Sequence, residues 1–148
     1  MNKKVYLDTS VISALFDKRT PERMEMTKNA WEQIKNYEVF ISDAVVEELQ
    51  MADASLIEKF NNVIANFNIL LATDEAHALA KTYVEQEVFP AKYFDDALHV
   101  AICSVNEIGL LLSWNFRHLV KVKTRRMVSA INIMKDYPPV EIIAPPEL

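Results

Sequence analysis

Short apolar runs alternate with helical segments along the whole chain, and this alternation limits the folds that the chain can adopt. The apolar runs lie at residues 5–7, 39–41, 67–71, 110–112 and 140–143. Strands this apolar are buried on both faces, and the helices between them act as crossover connections in a parallel sheet. The pattern predicts an α/β fold: a three-layer α/β/α sandwich around a central parallel sheet of about five strands.

Helices are predicted between these runs from their apolar periodicity and from their start signals. They span residues 10–16, 21–36, 54–65, 73–87 and 95–106, with a short helix after Ser42 and a basic helix-like stretch over 116–135. Pro21 and Glu22 are typical of a helix start, and Ser42 and Asp43 are favoured N-caps. Since 148 residues suit one domain and no repeat or linker interrupts them, residues 1–148 are predicted to form a single domain.

Composition restricts the classes of function. The net charge of −5 argues against a general nucleic-acid coating protein, because such binding depends on Lys and Arg that neutralise phosphates. It leaves a nuclease open, since metal-binding carboxylates make a chain more acidic. Cys103 is the single cysteine, and the sequence has neither a membrane-length apolar run nor a signal peptide. These features predict a soluble cytoplasmic domain with no membrane partner.

The chain contains a single glycine, Gly109. Glycine-rich phosphate loops need several glycines so that the backbone can approach the nucleotide, so nucleotide binding through such a loop is nearly excluded. Because glycine is also the usual residue that ends a helix, we expect these helices to end with Asn, Asp and Pro.

Acidic residues stand at the ends of several predicted elements. Asp8 follows the first strand, the pair Glu47 and Glu48 lies in the short helix after Ser42, and the pair Asp95 and Asp96 opens a strongly apolar helix. In open α/β sheets the functional crevice lies outside the carboxyl ends of the strands. The arrangement predicts that these acids converge on an oxygen-ligand site for a hard divalent cation.

At two of these positions the neighbouring residues help to decide between a structural role and a role in the site. Asp8 could instead be the N-cap of the helix that follows, although Ser10 could cap that helix and leave Asp8 free to bind a ligand. In the short helix, Glu47 lies nearly opposite the apolar arc and is predicted to be a solvated surface acid. Glu48 lies at the edge of the arc, which favours it as the site residue.

For the residues of the apolar helix and those after the fourth strand, the sequence leaves more alternative roles open. Helical geometry does not choose between Asp95 and Asp96, and one of them could serve only the helix dipole. His99 could reach the same site, but a core or interface histidine is favoured. Ser113 and Asn115 follow the fourth strand, where they could be turn residues and nothing more.

The chain resembles the PIN domain family of small metal-dependent ribonucleases, which includes toxins of bacterial toxin–antitoxin pairs. The resemblance covers essentially the whole chain and depends on four stretches in order. They are Tyr-Leu-Asp-Thr-Ser-Val at 6–11, Ser-Asp-Ala-Val-Val-Glu-Glu-Leu at 42–49, Asp-Asp-Ala-Leu-His-Val-Ala at 95–101 and Ser-Trp-Asn at 113–115. It implies a five-stranded parallel sheet between helices.

The resemblance also implies roles for individual residues. It makes Asp8, Glu48 and Asp96 the catalytic and metal-binding acids. Asp95 and Asn115 are further candidate ligands, and Ser10 helps to hold water, metal or phosphate. After the fourth strand the family pattern has acids where this chain has Asn115 and His118. The site therefore has less negative charge, although three acids are enough for one Mg²⁺ or Mn²⁺.

The implied activity is metal-dependent hydrolysis of RNA, with a possible antitoxin as protein partner and a homodimer as the assembly. Ser113, Arg117, His118 and Lys121 are predicted to contact the substrate phosphates, within a basic segment that could equally be a solvated helix face. The alternative is a catalytically weak module for RNA binding or protein assembly. A phosphotransfer enzyme with Asp8 as nucleophile is disfavoured, because the second acid expected two residues later is Ser10.

Overall fold

The computed structural model describes residues 3–148, and over that range the chain forms a five-stranded parallel sheet flanked by helices. The strands are β1 (Lys4–Leu7), β2 (Glu38–Ser42), β3 (Asn68–Leu70), β4 (Leu110–Leu112) and β5 (Glu141–Ile143). The helices are α1 (Thr9–Ala14), α2 (Pro21–Ile34), α3 (Asp43–Leu49), α4 (Ala54–Ile64), α5 (Asp74–Glu85), α6 (Phe94–Val105) and α7 (Val122–Met134). Single 3₁₀ turns occupy Ala91–Tyr93 and Pro145–Glu147. The predicted fold class is confirmed.

Strand β1 lies at the centre of the sheet, whose order is β3-β2-β1-β4-β5. Tyr6 pairs with Phe40 on β2, and Leu7 pairs with Leu112 on β4. The chain first builds the sheet outward from β1 through β2 to β3, then returns to the other side of β1 for β4. The point where the strand order reverses therefore lies between the carboxyl ends of β1 and β4, where α/β proteins bind their ligands.

Helix α6 is the most completely buried helix of the core. Every residue from Ala97 to Ser104 is buried, as its nearly continuous apolar sequence predicts. Burying an Ile, Leu or Val side chain contributes about 1.5–3 kcal/mol, so packing holds α6 firmly against the sheet and α5. Its first turn, which carries the acidic pair, is thereby fixed at the carboxyl edge of the sheet.

Three helices end in a way that the sequence did not indicate. Glu87, Glu107 and Asp136 have φ angles of 64°, 57° and 63°, the left-handed conformation that glycine usually supplies. After each of them the chain closes a hydrogen bond back into the last helical turn, such as Ile108 N to Cys103 O at 2.9 Å. The expectation that Asn, Asp and Pro end the helices was wrong for the two glutamates, because closing the turn outweighs their backbone preference.

The basic stretch predicted as helix over 116–135 begins as a turn. Asn115 O accepts hydrogen bonds from Leu119 N at 3.1 Å and Val120 N at 2.8 Å, and Asn115 Oδ1 accepts one from His118 N at 2.9 Å. These bonds fold the segment after β4 on itself, so α7 starts only at Val122. Within residues 3–148, no helix has the length and apolar character needed to cross a membrane.

Candidate metal and active site

Asp8 is buried at the carboxyl end of β1 and is 4% exposed. Its Oδ1 accepts hydrogen bonds from Ser10 Oγ at 2.5 Å and Val11 N at 3.3 Å, and its Oδ2 accepts one from Ser113 Oγ at 2.5 Å. Asp8 is therefore the N-cap of α1. The idea that Ser10 would cap this helix in its place was wrong, because the Ser10 hydroxyl donates to Asp8.

Ser10 and Ser113 hold Asp8 from two sides of the crevice. Each serine oxygen accepts a backbone N–H of the loop after β4: Trp114 N donates to Ser10 Oγ, and Asn115 N donates to Ser113 Oγ, both at 2.9 Å. Since each hydroxyl proton goes to Asp8, the two serines position this carboxylate. Their contact with a substrate phosphate stays a prediction.

In each of the two acidic pairs, one side chain is exposed and the other is half-buried. On α3, Glu47 is exposed and Glu48 is half-buried, in agreement with the helical-face argument. On α6, Asp95 is exposed and Asp96 is half-buried, a choice that helical geometry left open and the PIN resemblance favoured. Glu48 and Asp96 therefore face the crevice, whereas Glu47 and Asp95 face solvent.

His99 joins Glu48 to the centre of the sheet through a buried hydrogen-bond chain. His99 Nε2 lies 3.0 Å from Glu48 Oε1, and His99 Nδ1 lies 2.7 Å from the Tyr6 hydroxyl. Tyr6 in turn lies 2.8 Å from Ser42 Oγ, which accepts from Val45 N and caps α3. These hydrogen bonds thus tie both ends of α3 to β1 and α6. His99 is a buried residue, as favoured from sequence, and it also belongs to the site.

The three crevice acids interact electrostatically although they come from different elements. Burial raises the pKa of Asp96 to about 6, and the charges of Asp8 and Glu48 add to this rise, while His99 and Asn115 oppose it. Burial also raises the pKa of Asp8 against the opposing charge of His99 and its hydrogen bonds. Negative charge is therefore concentrated at this edge of the sheet.

Glu48 is the one of the three acids whose pKa is lowered, because it is paired with His99. Burial raises the pKa of Glu48, but the hydrogen bond and the charge of His99 more than offset this, and the pKa is lowered overall. Conversely, burial lowers the pKa of His99, but Glu48, Asp8 and Asp96 together raise it above the usual value. His99 is the positive partner of this acidic cluster.

Asn115 and His118, the two candidates for a missing acid, face different surroundings. The Asn115 amide lies beside Asp96, whose pKa it helps to keep down. The His118 ring lies against Tyr93, with ring centres 3.9 Å apart. Burial lowers the pKa of His118, as do the charges of Lys121, Arg117 and Lys92. Of the two, Asn115 is the residue that borders the carboxylates.

We expect Asn115→Asp to tighten Mn²⁺ binding and to destabilise the metal-free protein. The new carboxylate would lie against the half-buried Asp96, so like-charge repulsion would rise in the metal-free state and attraction for a cation would rise with it. Calorimetric Mn²⁺ titration and urea unfolding in EDTA measure the two effects. His118→Asp is the matched control: tighter Mn²⁺ binding in that variant alone would show that the assignment of Asn115 is wrong.

The predicted phosphate-binding cations lie on the outer side of the loop after β4. Arg117 is exposed, and the half-buried Lys121 is the N-cap residue of α7. Arg125, from the same basic segment, is used within the fold, because its Nε donates to Ile142 O at 2.8 Å. The structure thus leaves Arg117 and Lys121 accessible at this edge, while Arg125 stabilises the end of β5.

The donor groups at this edge fit a hard divalent cation. Asp8, Asp96 and Glu48 offer carboxylate oxygens and Asn115 offers an amide oxygen, the ligand types that Mg²⁺ and Mn²⁺ favour. Among residues 3–148, no three His, Cys, Asp or Glu side chains are close enough together to form a ready-made metal site. The common metal site therefore stays a prediction, supported by the charge coupling of the three acids.

Sequence reasoning missed Tyr6 and Ser42 as parts of this site. Tyr6 reads as an ordinary apolar residue of a buried strand, and Ser42 reads as a helix cap. The signal that could have found them is the alternation of side chains in β1, because Tyr6 and Asp8 lie on the same face of the strand. The partner of the Tyr6 hydroxyl comes from an element 93 residues away in sequence, which no local pattern reveals.

Comparisons with known proteins agree with this architecture. The complex of VapBC2 from Rickettsia felis with a DNA fragment from its promoter has a chain that superposes with a TM-score of 0.63 at 16% identity, covering 95% of this chain and 98% of that one. VapC20 from Mycobacterium tuberculosis, a toxin that cleaves the sarcin–ricin loop, gives a TM-score of 0.61 at 16% identity, covering 77% and 92%. At this identity the likeness concerns the fold.

Among curated proteins, no sequence matches this chain significantly. The family model described as PIN domain matches residues 5–121, which include Asp8, Glu48, Asp96 and the loop after β4. Because this match spans most of the chain and the observed fold agrees with it, the chain belongs to the PIN domain family.

Proposed function

We propose that this chain is a divalent-metal-dependent endoribonuclease that hydrolyses RNA phosphodiesters and acts as the toxin of a toxin–antitoxin pair. The observation that carries the proposal is that the negative charges of Asp8 and Glu48 both add to the rise in the pKa of Asp96 that burial causes. Membership of the PIN domain family supports a nuclease. The toxin role is supported by similarity in fold to VapC20, a toxin that cleaves the sarcin–ricin loop.

Each residue has a defined part in the proposed reaction. Asp8, Glu48 and Asp96 hold Mg²⁺ or Mn²⁺, with Asn115 as a neutral oxygen donor; the exposed Asp95 is a weaker candidate. A metal ion bound there lowers the pKa of a water and neutralises charge on the phosphate. Ser10 and Ser113 keep Asp8 in one orientation, and His99 does the same for Glu48.

The outer cations complete the proposed site. Arg117 and Lys121 attract RNA phosphates towards an edge that would otherwise repel them. His118 lies among these cations and keeps a lowered pKa, so it is proposed as a neutral contact for the substrate. An antitoxin protein is a proposed partner, from the likeness in fold to the VapBC2 chain. A second copy of the chain is proposed from membership of the PIN domain family.

Substitutions in the two pairs of adjacent acids test the proposal, and Glu47 provides the control. Glu48→Gln and Asp96→Asn each remove a crevice carboxylate, and we expect each to reduce Mn²⁺-dependent cleavage by about 100-fold, since about 1.4 kcal/mol of transition-state stabilisation corresponds to a factor of ten. Glu47→Gln removes an exposed acid outside the proposed site and should leave cleavage within about twofold, whereas Asp95→Asn, at the weaker candidate ligand, should reduce cleavage less than Asp96→Asn does. The measurement is gel-resolved cleavage of a labelled RNA at fixed salt.

The second candidate function is a catalytically weak module for RNA binding or assembly. It is favoured by one observation: the fourth acid of the family pattern is Asn115 here. Cleavage that persists at the same rate in excess EDTA would rule out the metal mechanism. RNA binding without any cleavage in Mg²⁺ or Mn²⁺ would favour the weak module.

A further inference from the structure

An open pocket of about 650 Å³ lies beside the loop that follows β4. Its walls come from the start of α2, the loop after β4 and the C-terminal 3₁₀ turn. Its lining includes Pro21, Glu22, Arg23, Trp114, Phe116 and Pro146. The volume falls in the range of small-molecule pockets, about 300–1,000 Å³, so the pocket is large enough for a planar ring system.

The walls of this pocket present aromatic and cationic surface. The Phe116 side chain is 50% exposed, and its ring meets that of Trp114 edge-on, with ring centres 6.1 Å apart. The Arg23 guanidinium lies 4.9 Å from the centre of the Trp114 ring. Trp114 Nε1 donates to Thr27 Oγ1 at 2.9 Å, which fixes the indole. Exposed aromatic rings and guanidinium planes are the surfaces on which unpaired nucleobases stack.

The loop after β4 links the pocket to the crevice acids. Trp114 N donates to Ser10 Oγ, and the Ser10 hydroxyl donates to Asp8. Asn115, between the two aromatic residues, lies beside Asp96. The loop that carries Trp114 and Phe116 is therefore hydrogen-bonded to the groups around Asp8 and Asp96.

We infer that this pocket binds one unpaired nucleobase of a single-stranded RNA, next to the phosphate that enters the acidic crevice. The inference rests on the proposed ribonuclease function and names the form of its substrate. Farther along the same segment, His118, Lys121 and Lys123 border a separate cavity that the end of α5 also lines. The segment after β4 thus carries an exposed aromatic ring at Phe116 and positive charge a few residues later.

The competing occupant of the pocket is an apolar protein segment. Three substitutions of Phe116 distinguish it from a nucleobase. Phe116→Ala removes the ring, Phe116→Leu keeps apolar bulk without a ring, and Phe116→Tyr keeps the ring. The assay is fluorescence anisotropy of a labelled 12-nucleotide single-stranded RNA of mixed sequence, in EDTA and at fixed salt. Because stacking of one base contributes about 1–3 kcal/mol, we expect Phe116→Ala and Phe116→Leu to weaken binding about 5- to 100-fold, and Phe116→Tyr to keep it.

A matched oligomer and a matched variant complete the test. An abasic 12-nucleotide strand keeps the phosphates but has no bases, so Phe116→Ala should not change its affinity. Ile133→Ala removes another exposed apolar residue, 75% exposed on α7, and should leave RNA binding unchanged. Arg23→Gln should weaken binding of both strands, because the lost charge also attracts phosphates, but it should weaken binding of the mixed-sequence RNA more.

The outcomes separate this inference from the proposed function. Equal RNA affinity of wild type and Phe116→Ala, with both folded by their melting temperatures, would overturn the base pocket even if the protein cleaves RNA. Equal loss for the mixed-sequence and abasic strands would also overturn it. Phe116-dependent binding in a protein that never cleaves RNA would uphold the pocket and refute the ribonuclease.

Discussion

Replacing Asp8 by Asn is expected to abolish metal-dependent cleavage without unfolding the protein. Asp8 supplies a carboxylate at the point where the strand order reverses, and the neutral amide would lose most of its attraction for a divalent cation. We expect cleavage to fall by at least about 100-fold. Because Asn is as good an N-cap as Asp, α1 should remain intact. Cleavage of labelled RNA and thermal melting in EDTA measure the two effects.

The stability of this variant should depend on pH in a defined direction. The pKa of Asp8 is raised in the folded protein by burial, so the contribution of Asp8 to stability is most favourable below its unfolded pKa and is lost as the pH rises through the folded value. The melting temperature of Asp8→Asn should therefore equal or exceed that of wild type at pH 7, with the difference shrinking towards pH 4. A variant that cleaves RNA like wild type, or that unfolds at pH 7, would contradict the assignment.

His99→Gln is expected to be the most destabilising single change at the site. His99 is 2% exposed and is the positive partner of Glu48, with Asp8 and Asp96 also raising its pKa. Removing one partner of a buried ion pair typically costs about 3–5 kcal/mol. Since Gln can still donate one hydrogen bond and Glu48 is partly open to solvent, we expect a loss of about 2–3 kcal/mol near pH 6. Urea unfolding in EDTA measures it.

The pH dependence of this loss follows from the two pKa shifts. The raised pKa of His99 makes its stabilisation complete below about pH 6.5, and the stabilisation disappears as the pH rises through the higher folded value. The lowered pKa of Glu48 makes its contribution disappear as the pH falls through the folded value of that carboxyl. The loss of stability in His99→Gln should therefore be greatest at pH values between the folded pKa of Glu48 and that of His99.

An exposed histidine provides the control for this prediction. His77 is on the exposed face of α5, and His77→Gln should change the free energy of unfolding by no more than about 0.5 kcal/mol. If His99→Gln is as mild as His77→Gln throughout that pH range, the hydrogen-bond chain through Tyr6 and Glu48 does not stabilise the fold.

The elements could be predicted because their signals are local. The five strands appear where the short apolar runs lie, and the parallel sheet follows from the helices between them. Glu48 was separated from Glu47 by helical geometry alone, since an α-helix turns through about 100° per residue and one side of α3 is apolar. Asp96 was separated from Asp95 by the PIN resemblance, and burial on α6 agrees with that choice.

The start of α7 could not be predicted in the same way. The sequence after β4 is rich in helix-forming basic residues, so propensity extends the helix back to Phe116. In the structure the side chain and carbonyl of Asn115 accept the backbone N–H groups of the following residues, and a turn replaces the first helical residues. Side chains such as Asn compete with helical hydrogen bonds by this route.

By itself, the sequence determined the class of fold and, on α3, the acid that faces the crevice, because apolar runs and helical periodicity depend on neighbouring residues. Only the tertiary structure decided that Ser10 and Ser113 serve Asp8, that His99 pairs with Glu48, and that Phe116 borders an open pocket. These contacts join residues from separate elements. Their hydrogen bonds and pKa shifts exist only once the packed sheet brings those elements together and removes the acids from water.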